Sequence, residues 1–136
     1  MSGLRFLDTN VLIYSIASAE PKKRDRALAL LEEGDCGLSV QVLQEFYVQA
    51  TRATRADRLS HEQAAGLIDA WSRFQVQANT VAVMNAALRI KAAHGFSYWD
   101  SAIIAAARAL GCPQLLTEDM SDGREIDGVR IVNPFR

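Results

Sequence analysis

Two cysteines in 136 residues, with no histidine or second cysteine at zinc-binding spacing, leave neither a zinc site nor a disulfide framework to organise the chain. Cys36 and Cys112 adjoin the apolar stretches "CGLSV" and "GCPQLL" and read as buried free thiols. Long hydrophobic runs are missing too. The longest near-candidate, "SAIIAAARALG", is interrupted by Arg108 and falls well short of the roughly 20 residues that a spanning helix needs. The opening "MSGLRFLD" lacks the charged-then-apolar layout and cleavage site of a leader peptide. The expectation is a cytoplasmic protein with no membrane segment. Nor is there an excess of one charge: 15 Lys and Arg stand against 16 Asp and Glu, a net charge of −1. That balance gives no global attraction for nucleic acid, so a polyanion would be held by local basic residues or by metal ions.

What the chain has is apolar material, 49% of its residues, enough for the core of a single domain spanning residues 1–136. Short apolar runs alternate with longer segments of helical periodicity. Leu4 to Leu7, "CGLSV", "QVQANT", "PQLLT" and "RIVN" read as five strands. Between them, "PKKRDRALALLEEG" has Pro21 at a first-helical position and Gly34 as a stop. "QVLQEFYVQATRAT" repeats Val42, Leu43, Phe46 and Ala50 at helical spacing. Ser60 with Gln63 forms a capping-box pattern, and Gly95 and Gly111 close two further helices. Such alternation implies an α/β fold, a three-layer α/β/α sandwich around a mostly parallel sheet of about five strands. Right-handed crossovers bring strand carboxyl ends and helix amino ends to one edge, and ligands of open α/β sheets bind outside that edge.

Four acids fall on this edge. Asp8 ends the first strand, Glu45 lies in the first turns of the helix after the second, Asp100 opens the helix before the fourth, and Asp119 follows the fourth. Each has an ordinary structural explanation. Asp8, Thr9 or Asn10 can cap a helix, and Glu45 borders an apolar stripe from which its head can reach water. Asp100 completes a capping box with Ser97, and Asp119 can belong to an Asx-turn. Yet Asp100 projects on the same side as Ile103, Ile104 and Ala107, toward the sheet. Four unrelated caps have no reason to gather at one edge. Gathered carboxylates repel and raise one another's pKa, a conflict that a divalent cation removes, and an all-oxygen set suits Mg²⁺ or Mn²⁺.

The segments "FLDTNVLIYS", "SVQVLQEFYV", "YWDSAIIAAA" and "LLTEDMSDGREIDGVRIVNPF" closely resemble, in order and over nearly the whole chain, the PIN-domain ribonucleases, in particular the VapC-type toxins of bacterial toxin–antitoxin pairs. The resemblance implies a flavodoxin-like sandwich and an acidic cluster of Asp8, Glu45, Asp100 and Asp119, supported by Thr9, Asn10 and Thr117. It further implies an RNA substrate cut to leave a 5′-phosphate and a 3′-hydroxyl, a homodimer, and a cognate antitoxin whose C-terminal segment covers the active-site groove. Glu118 and Asp122 stand close enough in sequence to replace Asp119. With the cluster accepted, one or two Mg²⁺ or Mn²⁺ ions would be held by Asp8 as central ligand, with Asp100 and Asp119 coordinating directly or through water and Glu45 holding a metal-bound water or assisting its deprotonation. Thr9, Asn10 and Thr117 orient the carboxylates or meet the scissile phosphate.

Elsewhere the sequence leaves choices open. Arg52, Arg55 and Arg58 recur every three residues and either track an RNA backbone or form a solvated helix face. Lys22, Lys23, Arg24 and Arg26 read as solvated surface. His61 and His94 sit at helix ends and read as surface residues. Tyr14, Tyr47 and Trp99 either stack on bases or, by default, pack in the core. Two rivals to the nuclease stand. An aspartate-nucleophile phosphatase wants a second acid two residues after the first, where this chain has Asn10. A non-catalytic PIN-like RNA-binding protein would be expected to lack some of the four acids.

Overall fold

The computed structural model describes residues 3–136. Met1 and Ser2, where the stretch inspected for a leader begins, lie outside the described residues. The elements run β1 (Arg5–Leu7), α1 (Thr9–Tyr14), α2 (Pro21–Glu33), β2 (Cys36–Ser39), α3 (Val40–Ala50), α4 (His61–Trp71), β3 (Gln75–Gln77), α5 (Val81–His94), α6 (Tyr98–Ala109), β4 (Gln114–Leu116), β5 (Glu125–Ile126) and β6 (Val129–Val132).

One sheet has the order β3-β2-β1-β4-β6-β5. Every neighbouring pair is parallel except β5 with β6. The chain steps outward from β1 to β2 to β3 through α1–α4 and then crosses back to β4 through α5 and α6. Because both kinds of crossover are right-handed, the two sets of helices cover opposite faces, giving the expected three layers. Their shared core is apolar: Phe6, Leu38, Leu115 and Ile131 in the strands, Leu12, Leu30, Phe46 and Ile104 in the helices, all buried.

The strand count differs from expectation. Five strands follow from the sequence; the sixth, β5, is the two-residue partner in a hairpin closed by Asp127 and Gly128, both at positive φ (50° and 88°). An Asp-Gly pair between Ile126 and Val129 is a strong short-range signal for such a turn, but one strand of two residues leaves too little alternation to detect. The helix expected to run through Thr54 instead ends at Ala50. There the Thr51 hydroxyl donates to the Tyr47 carbonyl at 2.7 Å, turning the chain into a succession of tight bends. Arg52, Arg55 and Arg58 therefore occupy a loop and form no helix face.

Ordinary capping chemistry holds the helices. The Ser60–Gln63 capping box is complete, Ser39 and Thr80 accept from the third amide of α3 and α5, and Pro21 occupies the first turn of α2. Cys36 and Cys112 are buried free thiols, and burial pushes both up to about 11.

On β2, one strand in from the edge of the sheet, close packing shows at Gly37. A Cβ there would stand 2.8 Å from Cys112 Sγ and 3.1 Å from Leu110 Cδ1, with no exposed side available for relief. Gly37→Ala should therefore lower the urea midpoint by the equivalent of roughly 1–3 kcal/mol, the usual cost of overpacking a core, with the m-value unchanged. An unchanged midpoint would mean that this interior yields more easily than its contacts indicate.

Candidate active site

The site grows from the middle of the sheet. β1 and β4 are neighbours, with Leu7 in register with Leu116, yet the chain leaves β1 toward β2 and leaves β4 toward β6. Between their carboxyl ends the sheet reverses direction, the place where open α/β sheets form a crevice. The next residue on each strand is polar and buried: Asp8 after β1 and Thr117 after β4. The Asp8 amide donates to the Leu116 carbonyl at 3.0 Å, continuing the ladder one residue beyond the strands.

Asp8 is 5% exposed. One carboxylate oxygen accepts from the Thr9 amide at 2.7 Å, as the cap of α1, and the other from the Thr117 hydroxyl at 2.8 Å. Capping and site-building are thus the same contact. Burial raises the Asp8 pKa from 3.8 to about 7, the Thr117 and Thr9 hydrogen bonds oppose the rise, and the charges of Glu45 and Asp100 add to it.

Asn10 ties the two strand ends together. Its Nδ2 donates to Thr117 Oγ1 at 3.0 Å and to Asp119 Oδ2 at 3.1 Å, while its Oδ1 accepts from the Glu118 amide at 3.2 Å. Thr117 Oγ1 accepts also from the Asp119 amide at 3.1 Å. The helix-capping sequence Asp-Thr-Asn therefore places the fourth-strand acid as well as the first.

Glu45, one and a half turns into α3, points back to the same crevice. It accepts from the Thr9 hydroxyl at 2.6 Å and from Gln41 Nε2 at 3.3 Å. Asp100, in the first turn of α6, is half-buried; its amide donates to the Ser97 hydroxyl at 3.1 Å. Burial raises its pKa, with further upward contributions from the charges of Asp119 and Glu45. All four acids thus share one electrostatic neighbourhood, and Thr9, Asn10 and Thr117 are the side chains between them. The carboxylates line a common rim without yet closing on one point: among the described residues no three His, Cys, Asp or Glu side chains form a group spaced to hold an ion.

The neighbours of Asp119 are engaged elsewhere. Glu118 accepts from the Tyr14 hydroxyl and from Lys23 Nζ at 2.6 Å, bonds that lower its pKa. Asp122 accepts from the Asn133 amide at 2.8 Å and pairs with Arg136 at 3.3 Å. Lys23 and Arg26, read from sequence as solvated surface, have partners: Lys23 pairs with Glu118 and lies 6.0 Å from the Phe135 ring centroid, and Arg26, though exposed, donates to the Pro134 carbonyl at 3.1 Å. Arg55 pairs with Asp57 at 2.8 Å and Arg52 is exposed, beyond the far end of α3 from the acids. His61 is exposed beside Tyr47, and His94 ends α5. Gln41 escapes the sequence reading, although its place four residues before Glu45 puts both on one helix face. Trp99, assigned by default to the core, is 63% exposed.

A family model for the PIN domain matches residues 5–121. The chain belongs to the PIN domain family. No curated protein matches it by sequence. Among solved structures, this PIN domain is similar to a toxin–antitoxin complex from Klebsiella pneumoniae, with a TM-score of 0.72 and 22% identity over 96% of this chain and 97% of that one. It is similar also to DNA-bound VapBC from Salmonella typhimurium (TM-score 0.66, 21% identity, 94% and 96% covered). A third likeness is to VapC20 of Mycobacterium tuberculosis, a sarcin–ricin-loop-cleaving toxin (TM-score 0.63, 18% identity, 82% and 86% covered). At these identities the likeness is one of fold.

The buried acid of the PIN domain makes stability depend on pH. An aspartate with a pKa of about 7 when folded and 3.8 when unfolded binds its proton more tightly in the folded state. Its contribution is fully present below about pH 4 and is withdrawn as pH rises toward 7. In EDTA, the melting temperature should fall between pH 5 and pH 8. Asp8→Asn should lose most of that fall and be more stable than wild type at pH 8, by roughly 1–3 kcal/mol. A variant that melts lower at pH 8 would show that the protein already compensates this carboxylate.

Proposed function

We propose that this PIN domain is a metal-dependent ribonuclease acting as the toxin of a toxin–antitoxin pair in the cytoplasm. The observation that carries the nuclease reading is the placing of Asp8, Glu45, Asp100 and Asp119 along one rim at the sheet's reversal point, with Asp8 buried and its proton affinity raised. A buried acid among like charges is costly unless a cation joins it. The donor set fits Mg²⁺ or Mn²⁺: it is all oxygen, and hard divalent ions favour carboxylates with room left for water and phosphate. Asp8, Asp100 and Asp119 would hold the ion. When bound, such an ion supplies charge neutralisation and Lewis acidity toward a phosphodiester.

The remaining work falls to the chain itself. Glu45, oriented by the Thr9 hydroxyl and Gln41, stands as the general base for the attacking water. Thr117 and Thr9 hold the Asp8 carboxylate in one orientation, and Asn10 holds Asp119. The products would carry a 5′-phosphate and a 3′-hydroxyl. Arg52 remains free to meet the RNA backbone; Arg55 does so only by leaving Asp57. The toxin role draws on the likeness, over nearly the full length of each chain, to proteins solved as toxin–antitoxin complexes. It carries with it a homodimer and an antitoxin segment over the active-site groove. No helix among the described residues is long and apolar enough to cross a membrane.

RNA should be hydrolysed in Mg²⁺ or Mn²⁺ and left intact in EDTA. Asp8→Asn, Asp100→Asn and Asp119→Asn should each slow cleavage by about a hundredfold or more, the scale of losing a principal electrostatic group. Asp122→Asn, outside the cluster, should cut at close to the wild-type rate. Intact RNA in the presence of either metal would remove the nuclease reading and favour a PIN-like binding protein. Phosphate release from small monoesters would favour the phosphatase.

A further inference from the structure

Beside the carboxylates lies a second concavity, of about 390 Å³, between the start of α3 and the amino ends of α5 and α6. Gln41 joins the two: the amide that faces Glu45 also donates to the Trp99 carbonyl at 3.3 Å, and Trp99 directly precedes Asp100. The walls are the exposed indole of Trp99, the ring of Tyr98 set edge-on to it, and the apolar side chains of Val81 and Met84. Gln44 and Asn79, whose side-chain amides meet at 3.4 Å, form the polar rim.

No charged side chain lines this concavity. A phosphate or a carboxylate finds no cationic partner in it, which separates it chemically from the acidic crevice next door. Its volume is within the ordinary range for small-molecule sites. An exposed aromatic face with carboxamides at the edge suits a flat, uncharged group that carries both donors and acceptors. Nucleobases have that chemistry: they stack on aromatic rings, and their Watson–Crick edges pair with Asn and Gln side chains. We propose that Trp99, Gln44 and Asn79 form a nucleobase pocket that receives one unpaired base of the RNA next to the bond being cut. The proposal rests on the ribonuclease reading and deepens it, making the substrate an RNA whose base at this position is unstacked. Trp99 is then a binding and positioning residue, and its exposed indole has a use that core packing does not supply.

The two tryptophans are distinguishable, because Trp71 is buried and Trp99 is open to a ligand. A fluorescein-labelled single-stranded hexaribonucleotide titrated into the Asp8→Asn protein in Mg²⁺ reads binding by anisotropy, while indole quenching of an unlabelled hexamer reads stacking. Trp99→Ala should weaken binding roughly 5- to 150-fold, the range for losing one base–aromatic stack, and abolish the quenching. Trp99→Phe should restore much of the affinity, and Asn79→Ala should change the preference among hexamers of different base composition. Unaltered binding by Trp99→Ala overturns the pocket. So does a Trp99→Ala protein that binds normally but turns from dimer to monomer in sedimentation, which would make this face a contact between copies of the chain. Metal-dependent cleavage by the wild-type protein is measured separately. Cleavage with unaltered Trp99→Ala binding removes the pocket alone, whereas absent cleavage with intact indole quenching removes the nuclease and keeps a base-binding site.

Discussion

Asp8 is a carboxylate held out of water at the point where the sheet changes direction, and much of the surrounding architecture answers to its solvation. An ionised acid in such a place is tolerated only when its lone pairs are met. Here the Thr9 amide and the Thr117 hydroxyl meet them, one from the start of α1 and one from the end of β4. Together they do not offset burial, which still carries the pKa to about 7. The folded chain is therefore electrostatically unfinished at this edge, a common condition of sites whose chemistry depends on a charged ligand.

Around that acid, hydrogen bonding divides neighbouring carboxylates by purpose. Asp119, exposed and touched by Asn10, remains in the crevice. Glu118, next in sequence, turns away to Lys23 and Tyr14, and Lys23 lies 4.8 Å from the Tyr14 ring centroid. The division follows from strand geometry: residues leaving a strand in succession point to opposite sides, so adjacent acids cannot both face one crevice. Tyr14 in turn packs edge-on against Phe135. The network that removes Glu118 from the acidic edge thereby also secures the end of the chain.

Much of this was legible beforehand because strongly periodic elements carry it. The parallel order, the edge, and the gathering of Asp8, Glu45, Asp100 and Asp119 follow from alternating strands and helices together with handedness. Thr9, Asn10 and Thr117 hydrogen-bond to Glu45, Asp119 and Asp8 respectively. Less visible were interactions that depend on tertiary distance. Lys23 and Arg26 look like any solvated basic run until the C-terminal residues fold over them. Arg52 and Arg55 looked helical because a three-residue spacing survives in the sequence after Thr51 has ended the helix. Trp99 looked like core because its neighbours are apolar, although its place in the first turn of α6 leaves its indole exposed.

The strand order has a temporal consequence. β1 and β4 are the two central strands, but β4 begins only at Gln114, so the two halves of the crevice are joined by contacts across more than 100 residues. Loop closure over such separations is slow relative to local helix formation. A chain emerging from the ribosome would carry Asp8 and Glu45 early yet hold no assembled crevice until its last quarter had been synthesised and docked. Whatever chemistry the crevice carries out is therefore withheld while the chain is still being translated.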